Sequence, residues 1–134
     1  MDVDFAFVCD YAESGNKISA LGIGFDTIYA PQVPCVHPNF HLVAQIRASK
    51  AEVGDKEITI RLIDADGKDV VPVLNGTLNI PPPAAGSIES TGRLVVGFAG
   101  VKFPKYSQYT LHVAVQGHEM VRIHLRVARP PRTG

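Results

Sequence analysis

Two cysteines and five histidines are the side chains in this chain best suited to hold a metal or attack a substrate. Three of them crowd into one short run, Cys35-Val36-His37-Pro38-Asn39-Phe40-His41. Zinc would need three or four such ligands held tetrahedrally, so another would have to come from elsewhere, with Cys9 the candidate. The spacing matches no zinc module, and Pro38 stiffens the chain between the two histidines. The expectation is a crossing loop with one half-buried cysteine and exposed histidines, and no metal.

Other chemistry finds less support. Asp64-Ala65-Asp66-Gly67-Lys68-Asp69 starts like a calcium loop but lacks the further acid before its glycine and the downstream bidentate glutamate. It reads as a hairpin turn with Gly67 as the left-handed residue. There is no Gly-x-Ser-x-Gly elbow, and Ser14, Ser87, Ser90 and Ser107 fall in turn-like stretches. Cys9 lies on an apolar strand face, which predicts a buried, inert thiol. No glycine-rich loop precedes a helix, so Gly22 and Gly24 read as a bulge or close backbone packing. No catalytic grouping and no cofactor is expected. Lys102, Phe103, Lys105 and Tyr106 come nearest to a nucleic-acid surface, which needs exposed aromatics among basic residues.

The elements that must carry these residues are strands. Tyr109 to Val115 and Val121 to Val127 each alternate apolar and polar residues over seven positions, the pattern of strands with one face in a core. Setting core residues opposite one another puts Val115 against Val121, Val113 against Ile123 and Leu111 against Leu125, with Gly117-His118-Glu119 as the loop. That register sets His112 across from His124, Ala114 from Arg122 and Thr110 from Arg126. Opposed histidines could share an ion, since such side chains lie about 5 Å apart at Cβ. Arg122 and Arg126 would repel a cation, however, so the face formed by His112, Arg122, His124 and Arg126 better suits an anion or an acidic partner.

Upstream, Phe5, Phe7, Cys9 and Tyr11 are expected to share one face of a first strand, and a second segment runs from Lys17 to about Tyr29. Pro31, Pro34 and Pro38 predict an extended crossing loop from Ala30 to Asn39. Phe40, Leu42, Ala44, Ile46 and Ala48 then point inward, as do Ile58, Ile60 and Leu62. Val70 to Ile80 reads as a strand interrupted by Pro72 and Asn75-Gly76, Pro81 to Gly86 as a stiff connector, and Leu94, Val96 and Phe98 as the start of another strand. Ala48 to Val53 is the best helix-like scrap, ended by Gly54. About eight strands spaced by turn signals predict a single all-β domain, an antiparallel β-sandwich over 1–128, with a flexible tail over 129–134.

At 134 residues the chain can bury roughly 65–70% of its unfolded surface, enough to need no disulfide or metal. Thirteen basic residues balance thirteen acidic ones, which argues against a nucleic-acid or membrane partner. Asp2 and Asp4 stand where a secretory signal would be basic, and no stretch is long enough to span a membrane. A cytoplasmic protein with free thiols is expected.

Cys9-Asp10-Tyr11-Ala12, Gly15-Asn16-Lys17-Ile18, Leu21-Gly22-Ile23-Gly24-Phe25-Asp26-Thr27-Ile28 and the prolines Pro31 and Pro34 together resemble a family of small, stand-alone bacterial proteins of unknown function. Leu62-Ile63-Asp64-Ala65-Asp66-Gly67 and the closing hairpin fit the same pattern. The resemblance implies a compact cytoplasmic β-sandwich and names no site residues. The closing hairpin is also similar to that of immunoglobulin-like domains, in which a tyrosine anchors a corner; Tyr109 is the candidate, then Tyr106. The expected function is therefore non-enzymatic, a protein-interaction or self-associating accessory module, with strand addition at sheet edges as one route. The alternative is a small-molecule or metal site lined by the 30–41 and 81–86 loops.

Overall fold

Period-two patterning carries through to the architecture. The computed structural model describes residues 1–131, and the described residues form strands with one short 3-10 turn. The strands are β1 (Asp2–Cys9), β2 (Tyr11–Ser14), β3 (Ile18–Leu21), β4 (Thr27–Tyr29), β5 (Cys35–Ser49), β6 (Gly54–Ile63), β7 (Leu74–Ile80), β8 (Glu89–Phe103), β9 (Ser107–Val115) and β10 (His118–Ala128). One sheet has the order β1-β5-β8, the facing sheet β4-β10-β9-β6-β7, and β2 and β3 form a separate hairpin. Pairing is antiparallel except for β4, which runs parallel to β10. The helix-like scrap is only the 3-10 turn Lys50–Glu52, held as Glu52 Oε1 accepts from the Ser49 backbone N–H at 2.9 Å.

Alternate residues of both sheets make one continuous core. Phe40, Leu42, Ala44 and Ile46 of β5 meet Ile60 and Leu62 of β6 and Leu111 and Val113 of β9. Phe40 and Phe98 stack at 4.8 Å, and Phe103 meets Tyr109 edge to face at 5.0 Å. Tyr109 is 1% exposed, and its hydroxyl donates to the Lys105 carbonyl at 2.8 Å while accepting from the Lys105 N–H at 3.1 Å. This is the expected tyrosine corner.

A second, small cluster lies on the other face of the three-stranded sheet. Cys9, Ala12 and Val43 pack there with Phe7, Ile18 and Ala20, so the β2–β3 hairpin covers that face. The first strand is thus apolar on both sides at its end. Val8 enters the main core and Cys9 the small cluster, and Tyr11 falls beyond the strand break.

Three expectations need correction. The closing hairpin pairs Val121 with Val113, Ile123 with Leu111 and Leu125 with Tyr109, two residues away from the expected register. Its turn is Gln116-Gly117 with φ of 53° and 80°, and a bulge between Glu119 and Val121 restores the inward face. A shift of two leaves every side chain on its own face, so the apolar alternation cannot distinguish the two registers. Second, Cys35–Asn39 belongs to β5 rather than to a crossing loop; Pro38 is accommodated opposite Gly100, whose φ is +64°. Third, β7 runs straight through Asn75-Gly76, with Thr59 opposite Asn75 and Ile58 opposite Gly76 in unbroken register. The described part of the expected tail, residues 129–131, follows β10, with the Arg129 guanidinium 5.0 Å above the Tyr106 ring; residues 132–134 lie outside the described residues.

Candidate interaction face

Outward positions of β6, β9, β10 and β4 assemble a polar grid. Its rows follow from the register: Arg61, His112 and Arg122; then Ile63, Thr110 and His124; then Gln108, Arg126 and Thr27. His112, Arg122, His124 and Arg126 therefore do share one face. His112 lies opposite Arg122 rather than His124, and His124 lies opposite Thr110, so the opposed histidine pair does not form.

Glu119 changes the electrostatics of this face. Its Oε1 lies 2.7 Å from His112 Nδ1 and accepts from Arg122 Nε at 2.9 Å, while Oε2 accepts from Arg122 Nη2 at 3.1 Å. The Arg122 guanidinium first, and His112 second, hold its carboxyl below the usual carboxylate range. Next to it Asp69 clamps Arg61 through two hydrogen bonds of 3.0 and 3.2 Å. The face is thus less basic than the sequence implied. Arg126 has no ion-pair partner among the described residues, and His124 Nδ1 stands 3.5 Å from Thr110 Oγ1.

Two shallow depressions adjoin here. One, of about 400 Å³, lies between the Asp64–Gly67 turn and His112, Arg122 and His124. The other, of about 300 Å³, lies between Asp26-Thr27 and Arg126. Gln108 and His124 line both. The turn at one rim is well fixed, as Asp64 Oδ1 accepts from the N–H groups of Asp66 and Lys68, each at 2.9 Å. The Lys68 hydrogen bond is the main cause holding the Asp64 carboxyl below its ordinary value.

Glu119, expected in a loop, and Gln108, Asp26 and Thr27 join this face without a local sequence signal that places them there. Only the bulged register brings Glu119 beside His112, and only the parallel β4–β10 pair brings Thr27 beside Arg126.

The candidate metal run is dispersed, and its histidines are half-buried rather than exposed as expected, because each packs against an aromatic ring. His37 sits on the core side, its ring 5.8 Å from Phe40 and 6.2 Å from Phe25, with Nε2 buried and unpartnered. Burial pushes its pKa down from the ordinary value of 6.5, against the opposing pull of Asp10. His41 lies on the other face of the sheet, edge-on to Tyr11 at 5.1 Å and above Gly97. Cys9 is fully buried, its Sγ 3.4 Å from the Tyr11 carbonyl, and burial raises its thiol pKa. Among the described residues no three His, Cys, Asp or Glu side chains converge as ligands.

The two loops of the alternative reading do not meet either. The 30–34 connector enters β5 at Cys35, whereas the 81–88 connector enters β8 at Glu89, which pairs with Ser49 at the far end of β5. Residues 35–41 of the 30–41 segment lie within β5, and Ser49 is still eight residues beyond His41, roughly 26 Å at about 3.3 Å per residue. The depression lined by Pro81, Pro82 and Ala84 is completed by Arg47 and residues 87–91, not by residues 30–41. Phe103 is fully buried and the Tyr106 hydroxyl donates to the Ala30 carbonyl at 2.9 Å, so Phe103 offers no base-stacking surface.

Fold and face together define an all-β protein of packed, largely antiparallel sheets with one continuous core and a polar, partly neutralised outer face. The chain belongs to a family of unknown function, DUF6941, whose model matches residues 4–128. That match spans nearly all ten strands and agrees with the resemblance to an uncharacterised family. No curated protein and no solved structure matches the chain.

Proposed function

We propose that this domain works by association, as a non-enzymatic interaction module of the bacterial cytoplasm whose β9–β10 face receives an acidic partner. The observation that carries this reading is Arg126, exposed in the depression it lines with Asp26 and Thr27, beside exposed His124 and with no ion-pair partner among the described residues. Arg122 and Arg61 are occupied by Glu119 and Asp69, so of the three arginines on this face Arg126 alone has no ion-pair partner among the described residues. An acidic side chain there would gain charge-assisted hydrogen bonds from the guanidinium.

The strand orders support an immunoglobulin-like scaffold. Reading β1, β5 and β8 as A, B and E, and β10, β9, β6 and β7 as G, F, C and C′, reproduces the two sheets of such sandwiches. The Tyr109 corner then falls on strand F, as in that class. This likeness concerns architecture and supplies no activity.

The test is affinity capture from bacterial extract with the wild-type domain and with the Arg126→Glu, His124→Glu variant as baits. The expected result is a partner held by the wild type, released by salt and absent from the variant. A capture profile indifferent to both substitutions overturns the reading.

A further inference from the structure

The other end of the five-stranded sheet is an open edge, β7, and its composition is unusual. Natural edge strands are defended by charges, prolines or bulges, and here Pro72, Pro81, Pro82 and Pro83 flank β7 without entering it. From Val70 to Ile88 the chain contains no Asp, Glu, Lys, Arg or His, and β7 sits in the middle of that run. β7 pairs with β6 on one side in unbroken register, and among the described residues no strand pairs with its other side.

The strand is also nearly a palindrome. Leu74-Asn75-Gly76-Thr77-Leu78-Asn79-Ile80, read from either end, gives aliphatic, Asn, small or aliphatic, Thr. A two-fold interface sets residue i of one copy against j of the other and j against i, so a palindromic strand is complementary to itself. Antiparallel pairing centred on Thr77 would place Thr77 against its own copy, Asn75 against Asn79 and Leu74 against Ile80. Faces agree as well. Leu78 and Ile80 are buried on the core side, and alternation puts Leu74 with them, though it is still 39% exposed. Asn75, Thr77 and Asn79 share the polar side, where Asn75 already bonds Thr59 at 3.2 Å and Asn79 bonds Asp55 at 2.8 Å. In the same register Val73, 38% exposed, meets Pro81 of the other copy.

We infer that β7 pairs antiparallel with β7 of a second copy about a two-fold axis at Thr77, joining two five-stranded sheets into one of ten strands. The inference shares with the proposed function only the premise that the domain works through its surface. β7 lies at the opposite end of the sheet order from β4 and β10, so dimerisation leaves Arg126 free.

The experiment is analytical ultracentrifugation over a concentration series on the wild type and Thr77→Lys, with Thr77→Cys under mild oxidant as the covalent readout. Thr77 is exposed and lies opposite Glu57 on β6, so a lysine there finds an intrachain partner and the fold is kept. At the two-fold axis, however, it meets its own charge. The expected results are a wild-type dimer, a Thr77→Lys monomer with an unchanged circular dichroism spectrum, and a disulfide-linked Thr77→Cys dimer, because opposed Cβ atoms about 5 Å apart suit bridging after small adjustment. Thr27→Cys, on the far edge, should stay uncrosslinked. A monomeric wild type, or a dimer insensitive to Thr77→Lys, overturns the inference. Either outcome leaves the Arg126 reading to be judged by its own capture experiment, and a failure there would leave the β7 dimer standing.

Discussion

Single residues hold this fold at points where a polar atom is buried or a charge is clamped. Tyr109→Phe removes the donor to the Lys105 carbonyl within a nearly fully buried corner. A loss of about 1–3 kcal/mol is expected, read as a lower urea midpoint at an unchanged m-value. His37 sets a pH dependence of definite sign. Its folded pKa is depressed below the ordinary 6.5, so the unfolded chain binds the proton more readily. Stability is therefore full above that value and falls as pH drops below it, until the folded site titrates too. Carboxylates held low by their partners, Asp4, Asp64 and Glu119, contribute above their ordinary values of 3.8 to 4.5 and lose that contribution only in more acidic solution. The window between about 6.5 and 5 thus belongs chiefly to His37 among these groups. Urea midpoints measured across it should slope in the wild type and be flatter in His37→Gln; equal slopes would refute the assignment.

At the scale of elements, turn chemistry decides register. Gln116 occupies a left-handed position, φ 53°, at the first site of a two-residue hairpin turn. Asparagine tolerates that region better, and Asn-Gly is the favoured pair for such turns. Gln116→Asn should raise stability by a few tenths to about 1 kcal/mol, visible as a higher thermal midpoint. Gly92 shows the opposite constraint. A Cβ there would lie 3.2 to 3.3 Å from Ile80, Asn79 and Leu78, where the end of β7 packs onto β8. Gly92→Ala is expected to cost about 1–3 kcal/mol by overpacking, whereas Gly24→Ala, in open space, should cost only the strain of its φ of 84°. Denaturation of the two variants side by side separates contact from backbone effects.

For the molecule as a whole, one core cluster spans both sheets while the β2–β3 hairpin rests on a separate, much smaller one. Urea unfolding followed by tyrosine fluorescence and by circular dichroism should give coincident transitions. Native-state hydrogen exchange should show the β2–β3 amides opening well before those of β5 and β9. Equal protection across the chain would mean that the hairpin is integral to the cooperative unit.

What was legible in the sequence is what depends on local periodicity. The inward sets of β5, β6, β9 and β10, the Asp64–Gly67 turn, the buried Cys9 and the Tyr109 corner all follow from alternation and residue type. So does the shared face of His112, Arg122, His124 and Arg126. Partnership across strands was not legible, because alternation repeats every two residues and so accepts any even shift. Only the closed turn at Gln116-Gly117 and the bulge before Val121 set His112 against Arg122 and brought Glu119 to both. Likewise, no local signal states that the 30–34 and 81–88 connectors lie at opposite ends of β5, or that β7 is left at an edge. The sequence determined which side chains of the regularly alternating strands share a face; the tertiary structure decided which neighbour neutralises each, since charge pairing depends on distances between strands far apart in the chain.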